Sequence, residues 1–102
     1  MLDRKIPLCL ETPFEDLIVE DGRVAGVLAK RNGRTVRIRA RRGVILAAGG
    51  FERNQAMRGQ YLPKPTDSRW PVTPPGANTG DTIQAGIKAG AATDFMDLLW
   101  GV

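Results

Sequence analysis

Two short glycine-containing turns hold the residues of this sequence that are best suited to bind a ligand. The first comprises Ala47, Ala48, Gly49 and Gly50, at the end of the apolar run formed by residues 44–48. Small residues at the end of a strand allow a ligand or another backbone to approach within contact distance. Considered alone, the pattern is more typical of an ordinary turn.

The second turn comprises Asn78, Thr79, Gly80 and Asp81, where residues 79–89 are predicted to form a helix. The first amides of a helix and the positive end of its dipole favour a bound anion or polar oxygen. A structural alternative is that Asn78 caps the helix, with Asp81 three residues later in a variant of the capping box. Considered alone, capping is the preferred interpretation.

The composition excludes several kinds of chemistry. The chain has no histidine and one cysteine, so it contains no Ser-His-Asp triad, no internal disulfide and no multi-cysteine metal site. Cys9 lies in an apolar segment and is predicted to be a buried, unreactive thiol. No apolar stretch is long enough to span a bilayer, and no signal-like run follows Met1, so we expect a cytoplasmic protein.

Basic residues are concentrated in one segment of the chain. Between Arg23 and Phe51 there are eight basic residues and no acidic one, whereas the remainder has seven basic and eleven acidic residues, for a net charge of +4. Such a segment could contact nucleic acid or another acidic partner. The preferred interpretation is that its arginines alternate on the solvent-facing side of a strand.

The local patterns predict an α/β fold. Asp21-Gly22 and Asn32-Gly33 are hairpin signals, and they predict a three-stranded antiparallel β-meander within residues 14–41, whose strands lie between 14 and 40. The continuously apolar residues 44–48 predict a buried parallel strand. Residues 52–61 and 79–89 predict helices, and residues 62–78 contain five prolines and predict a loop without regular structure.

The order of these features resembles the FAD domain of the fumarate reductase/succinate dehydrogenase flavoproteins. In both, a meander is followed by an apolar strand that ends in Ala-Gly-Gly-Phe, then by a loop, an Asn-Thr-Gly-Asp turn and a helix. Within that family, Tyr61-Leu62-Pro63 and residues 96–100 are most similar to the 3-ketosteroid dehydrogenases. The resemblance extends from about Leu8 through nearly the whole chain.

The resemblance implies that FAD is the cofactor and assigns positions to individual residues. The first turn would lie beside the adenosine and pyrophosphate side of FAD, and the second would approach the flavin end, with Asp81 making polar contacts. Phe14 occupies the position whose backbone bonds the adenine edge in relatives. Trp100 is expected in the core or near the substrate cavity. The expected cofactor-binding residues are therefore Phe14, Ala47, Ala48, Gly49, Gly50, Asn78, Thr79, Gly80 and Asp81.

The sequence also departs from the family's pattern. Thr82 replaces the usual glycine after Asp81 and would crowd the approach of the flavin. The Gly-x-Gly-x-x-Gly turn is missing, as are the later acidic residue, the C-terminal glycine segment and the catalytic acid and base. We therefore expect residues 1–102 to form a single, incomplete and partial FAD-binding, Rossmann-like domain from the middle of a longer flavoprotein. No catalytic or metal-binding residue is expected within it.

The expected function follows from the same resemblance. The parent protein would dehydrogenate a ketosteroid-like substrate or reduce an activated alkene, so its substrate would be an apolar ketone or an enoate, and this chain alone would be inactive. We expect no nucleic-acid partner and no membrane span, and a homo-oligomer that hides the apolar strand. Two alternatives stay open: a non-catalytic module whose basic strand face binds an acidic partner, and a folded piece that binds nothing because part of its cofactor cleft is absent.

Overall fold

Regular secondary structure occupies less than half of residues 4–99, which are the residues that the structure, a computed structural model, describes. The chain divides into two compact units, Met1–Gly43 and Val44–Val102. The first unit holds the strands and the second holds the helices. In chain order, the elements are β1 (Phe14–Glu20), β2 (Arg23–Arg31), β3 (Arg34–Arg39), α1 (Gln55–Tyr61) and α2 (Asp81–Lys88).

The first unit is built on an antiparallel meander with the strand order β1-β2-β3. Its two connecting turns are Asp21-Gly22, with φ angles of 51° and 72°, and Asn32-Gly33, with φ angles of 51° and 74°. Two successive residues with positive φ are the mark of the type I′ turn, whose twist matches that of the flanking strands. The meander that these dipeptides predict is confirmed.

The pairing of β2 with β3 leaves no room for a side chain at position 26. Gly26 is buried and lies opposite Arg39 in the neighbouring strand. A Cβ atom built on Gly26 would overlap the backbone carbonyl oxygen of Ile38. A backbone oxygen within a hydrogen-bonded ladder cannot rotate away as the end of a flexible side chain can. Glycine is therefore required here by packing, although its φ angle is an ordinary one.

Replacing Gly26 by alanine is expected to lower the free energy of unfolding of the meander by about 2 kcal/mol, the usual cost of overpacking a rigid site. Chemical denaturation followed by circular dichroism measures this loss. Gly59→Ala is the control, because a Cβ on Gly59 would meet no described atom within 4 Å and alanine is the better helix former. Unchanged stability of the Gly26→Ala variant would contradict the close approach of β3.

The second unit places its buried side chains around the two helices. Met57, Leu62 and Ala85 are each buried to 7% exposure or less. Helix α1 begins after Asn54, whose side-chain oxygen accepts a hydrogen bond of 3.0 Å from the backbone N–H of Met57. Helix α2 stops before Gly90, which has a φ angle of 96° and so ends the helix as expected. Both predicted helices are present, each a few residues shorter than predicted.

The buried parallel strand predicted for residues 44–48 is not found. These residues form no regular secondary structure, and Ile45 is 93% exposed. A parallel strand needs hydrogen-bonded neighbours, and the sheet formed by the described residues contains β1, β2 and β3 alone. The predicted burial of Cys9 is wrong, since the thiol is exposed. The two observations have one cause: an apolar segment is buried only where another element covers it.

The connection between the helices is long and irregular. Residues 62–78 form turns and bends but neither helix nor strand. Their prolines explain this, because proline lacks the N–H group that helices and central strands use. None of the helices within residues 4–99 has the length and apolar character needed to cross a membrane.

Candidate functional site

The two glycine turns are in direct contact within the second unit. A Cβ atom built on Gly49 would lie 2.5 Å from Oδ1 of Asn78, so the Asn78 amide packs directly on the glycine backbone. The backbone N–H of Arg53 donates to the carbonyl oxygen of Asn78 at 3.2 Å. The side chain of Asn54 donates to the carbonyl oxygen of Thr79 at 2.9 Å. The segment that follows the first turn is thus fastened to the second turn at two points.

Left-handed backbone conformations make this contact possible. The φ angles of Gly49, Asn78 and Gly80 are 83°, 49° and 77°. At Gly80 a Cβ atom would lie 2.5 Å from Sδ of Met57 and 2.8 Å from Cβ of Phe51. The second turn therefore needs glycine at position 80 for two reasons, its backbone conformation and the proximity of the core.

Glu52 fixes the side chain of Asn78. Nδ2 of Asn78 donates to Oε1 of Glu52 at 2.5 Å. Burial acts to raise the pKa of the Glu52 carboxyl. The hydrogen bonds to this carboxyl, chiefly the one from Asn78, act in the opposite direction, as does the nearby Arg53 guanidinium. Together they lower the pKa of Glu52 below its usual 4.5. Glu52 is therefore a carboxylate at neutral pH. Its second oxygen, Oε2, lies 2.7 Å from the place that a Cβ on Gly50 would occupy.

Helix α2 begins without a side-chain cap. Its N-cap residue is Gly80, and no side chain in the described part of the chain caps it. The predicted capping by Asn78 is wrong, because the Asn78 amide bonds to Glu52 instead. Asp81 is exposed in the first turn, where its charge complements the helix dipole, and Thr82 is buried. The amides at the start of α2 are therefore suited to a polar oxygen from outside the chain.

The remaining predicted site residues have different surroundings. Ala47 and Ala48 are exposed and lead into the contact between the two turns. Phe14 is half-buried at the start of β1, opposite Ala29, and belongs to the other unit. Trp100, which was expected in the core or near a substrate cavity, lies outside the described residues. The structure thus brings the two predicted turns into contact at Gly49 and Asn78.

Arg53 holds the proline-rich loop. Its guanidinium donates to the carbonyl oxygens of Ser68 at 3.2 Å and Pro71 at 2.8 Å, and also to that of Thr73. Its backbone N–H meanwhile bonds the carbonyl of Asn78. A single residue, three positions after the first turn, therefore joins the loop to the second turn.

Three consecutive residues of this site, Glu52, Arg53 and Asn54, were not found from the sequence. Asn54 had a usable signal, because asparagine before a helical segment is a frequent N-cap. Glu52 and Arg53 had none, since the partners of their side chains lie 15 to 26 residues away along the chain. Contacts at that distance follow no periodic pattern.

The basic face of the meander is partly neutralised by its own sheet. Nζ of Lys30 lies 3.9 Å from Oε1 of Glu15, and Nη2 of Arg37 lies 3.7 Å from Oε1 of Glu20. These pairs are exposed, so each contributes less than about 1 kcal/mol to stability. Arg37 and Arg39, which the alternation places on the solvent-facing side of β3, are exposed. Arg34, at the start of the strand and on its opposite face, is exposed as well.

Comparison with known proteins identifies relatives over nearly the full length of the chain. A family model described as "FAD binding domain" matches residues 1–102. The 3-oxosteroid 1-dehydrogenase of Mycobacterium tuberculosis (strain ATCC 25618 / H37Rv) is 48% identical over an alignment of 100 residues, which covers 93% of this chain and 18% of that protein.

Two solved structures are also similar. The 3-ketosteroid delta1-dehydrogenase of Sterolibacterium denitrificans, in complex with 1,4-androstadiene-3,17-dione, has a TM-score of 0.89 and 59% identity, over 97% of this chain and 18% of that chain. The 3-ketosteroid-delta4-(5alpha)-dehydrogenase of Rhodococcus jostii RHA1, in complex with 4-androstene-3,17-dione, has a TM-score of 0.68 and 36% identity, over 84% of this chain and 18% of that chain. The chain spans less than a fifth of the length of these relatives.

Proposed function

Because the chain belongs to the family of FAD-binding domains, we propose that it supplies one segment of the cofactor site of a flavin-dependent dehydrogenase. The observation on which this depends is the direct contact of Gly49 with Asn78. It joins the two turns that the resemblance assigns to FAD, although they are separated by almost thirty residues of chain. The two units of the chain are proposed to be parts of one FAD-binding domain, since the family model covers both.

The residues of the two turns fit a flavin nucleotide. Ala47, Ala48 and Gly49 are exposed and have small side chains or none, which allows close approach of a ligand. The uncapped start of α2 offers backbone N–H groups to a polar oxygen. The exposed carboxylate of Asp81 beside these groups opposes a phosphate there and favours a neutral carbonyl oxygen, such as those of a flavin ring.

The family resemblance assigns each turn to a part of the cofactor. The first turn, Ala47, Ala48, Gly49 and Gly50, lies beside the adenosine and pyrophosphate. The second turn, formed by residues 78–81, binds the flavin half, and Phe14 offers its backbone to the adenine edge. Because the turns touch, they hold adjacent parts of one cofactor, the pyrophosphate and the flavin half that follows it.

The chain binds and orients the cofactor, and it is proposed to be inactive alone. FAD, when bound, accepts hydride from a substrate carbon. The substrate is proposed to be an apolar ketone of the 3-ketosteroid type, because the relatives named above act on or bind such compounds. Reduction of an activated alkene such as an enoate is the reverse chemistry on the same cofactor.

The apolar residues 44–48 are proposed to form a parallel strand in the complete flavoprotein, next to strands from other parts of that protein. The 93% exposure of Ile45 supports this proposal, since a side chain of that kind is usually covered. In the isolated chain, the same surface is proposed to be covered by self-association.

A chimera tests the proposed function. The matching segment of the Sterolibacterium denitrificans dehydrogenase is replaced by this chain, and the purified protein is examined for visible flavin absorbance and for dehydrogenation of a 3-ketosteroid. We expect both, because 59% identity and a TM-score of 0.89 leave the backbone of the segment almost unchanged. The isolated chain is expected to show no dehydrogenase activity.

The outcome that would overturn the proposal is a chimera with the circular dichroism and thermal stability of the parent enzyme but without flavin. Salt-sensitive retention of the isolated chain on nucleic acid, without a flavin signal in the chimera, would favour a binding module with a basic face instead. The pairing of Lys30 and Arg37 with carboxylates of β1 argues against that alternative.

A further inference from the structure

Glu52 is anchored in a position from which it reaches both turns. Its backbone carbonyl accepts a hydrogen bond of 3.3 Å from Nη1 of Arg58, a buried residue that is only 7% exposed. The two oxygens of its carboxylate have different neighbours: Oε1 accepts a hydrogen bond from Asn78, and Oε2 lies beside Gly50. Glu52 is thus the acidic side chain that spans the contact between the turns.

The side chain of Asn78 is held on two sides. Its φ angle of 49° is left-handed, a conformation that asparagine adopts more readily than most residues with a side chain. Its amide is confined between the backbone of Gly49 and the carboxylate of Glu52. With Oδ1 toward Gly49 and Nδ2 toward Glu52, the amide has one orientation only.

An ionised carboxylate is the side chain that can enforce this orientation. It accepts hydrogen bonds and donates none, so it selects the NH₂ group of Asn78 and excludes the oxygen. A bond to a charged acceptor is also stronger than one between neutral groups. The lowered pKa of Glu52 agrees with this role, because it keeps the acceptor ionised at neutral pH.

We propose that Glu52 is a positioning residue, which holds Asn78 so that the turn formed by residues 78–81 is fixed in its cofactor-binding conformation before FAD arrives. This inference rests on the proposed function, because it assigns the fixed turn to FAD. A preformed turn spares the ordering cost that binding would otherwise include. Loss of Glu52 therefore weakens flavin binding through its effect on Asn78.

The test is a set of variants in the chimera, with the dissociation constant of FAD as the readout. Glu52→Ala removes the acceptor and is expected to weaken binding about tenfold or more. Glu52→Gln keeps an oxygen that can accept from Asn78 and is expected to lose about threefold at most. Glu11→Ala, which changes an exposed glutamate of the meander unit, is the control and leaves the affinity unchanged.

A double variant separates positioning from general stability. Asn78→Asp alone places a second carboxylate beside that of Glu52, where the two repel each other, and Arg53 is the nearby cation. It should bind FAD at least about tenfold more weakly at neutral pH and recover as the pH falls and one of the two carboxylates is protonated. Combining Asn78→Asp with Glu52→Gln restores the bond with donor and acceptor exchanged, so affinity at neutral pH should return to within about threefold of the original.

The outcomes are distinguishable. Rescue in the double variant, together with the pH-dependent recovery of Asn78→Asp, supports the positioning role. If the unsubstituted chimera holds flavin but Glu52→Ala binds it equally well, or the folded double variant shows no rescue, the positioning role is overturned and the proposed function stands. If the unsubstituted chimera folds without flavin, the proposed function itself is overturned, and the role of Glu52 toward FAD with it.

Discussion

Replacing Gly49 by alanine is expected to prevent flavin retention by the chimera and to lower its free energy of unfolding by about 2 to 4 kcal/mol. The φ angle of 83° costs alanine about 1 kcal/mol. The new Cβ would lie 2.5 Å from Oδ1 and 3.0 Å from Cγ of Asn78, and overpacking of this kind costs about 1 to 3 kcal/mol more. Asn78 cannot move aside without breaking its bond to Glu52.

Gly76→Ala separates this collision from backbone strain. Gly76 has nearly the same φ angle, 81°, but a Cβ atom there would meet nothing among the described residues within 4 Å. Its effect should therefore be limited to the strain of about 1 kcal/mol, with flavin retained. Flavin absorbance of the purified chimeras and their denaturation midpoints measure the difference. Equal losses in the two variants would contradict the packing of Gly49 on Asn78.

The meander could be predicted from the sequence because its signals are local. Asp21-Gly22 and Asn32-Gly33 each determine a turn from two adjacent residues, and a two-residue turn also sets the register of the strands that it joins. The position of Gly26 was not predicted in the same way. Its close neighbour, the carbonyl of Ile38, belongs to another strand, and nothing in the sequence around Gly26 indicates it.

Residues 44–48 show the limit of an apolar pattern. The apolar pattern indicates that the segment needs neighbouring elements that cover it, but it does not indicate whether this chain provides those elements. Where no strand is present on either side, backbone hydrogen bonds of a parallel ladder cannot form, and Ile45 remains exposed. Cys9 is exposed for the same reason. Burial is a property of the assembled fold, and a short segment cannot determine it alone.

Only part of the candidate site could be predicted from the sequence. The glycines of the two turns could be recognised because their conformational freedom is a property of the residue itself. The role of Asn78 could not, because two uses competed for one amide. Capping of α2 is a local interaction, whereas the bond to Glu52 spans 26 residues and has a charged acceptor. The stronger distant partner determines the orientation of the amide.

Arg53→Ala is expected to release the proline-rich loop. The carbonyl oxygens of Ser68, Pro71 and Thr73 would all lose the guanidinium that they share. Hydrogen bonds to a charged group contribute about 1.5 to 3 kcal/mol each when measured singly, and three bonds to one partly buried group are not additive. We expect a loss of about 2 to 4 kcal/mol in the free energy of local opening.

Limited trypsin proteolysis measures this opening, because cleavage of a transiently opened segment follows the population of its open form. The site to follow by mass spectrometry is the bond after Arg69, whose side chain is 87% exposed. At about 1.4 kcal/mol for each factor of ten, a loss of about 2 kcal/mol or more means that the Arg53→Ala variant should be cleaved there at least about 25-fold faster. Arg42→Ala, which removes an exposed arginine of the meander unit, should leave the rate unchanged.

A second variant tests whether the guanidinium, and not merely a contact to the loop, is what matters. The side chain of Gln55 also bonds the loop, to the carbonyl of Thr66 at 3.1 Å and from the backbone N–H of Ser68 at 2.7 Å, but both bonds are exposed. Gln55→Ala should therefore accelerate cleavage by less than Arg53→Ala, since water replaces exposed partners at little cost. Equal acceleration by the two variants would show that the loop is held evenly along its length rather than chiefly through Arg53.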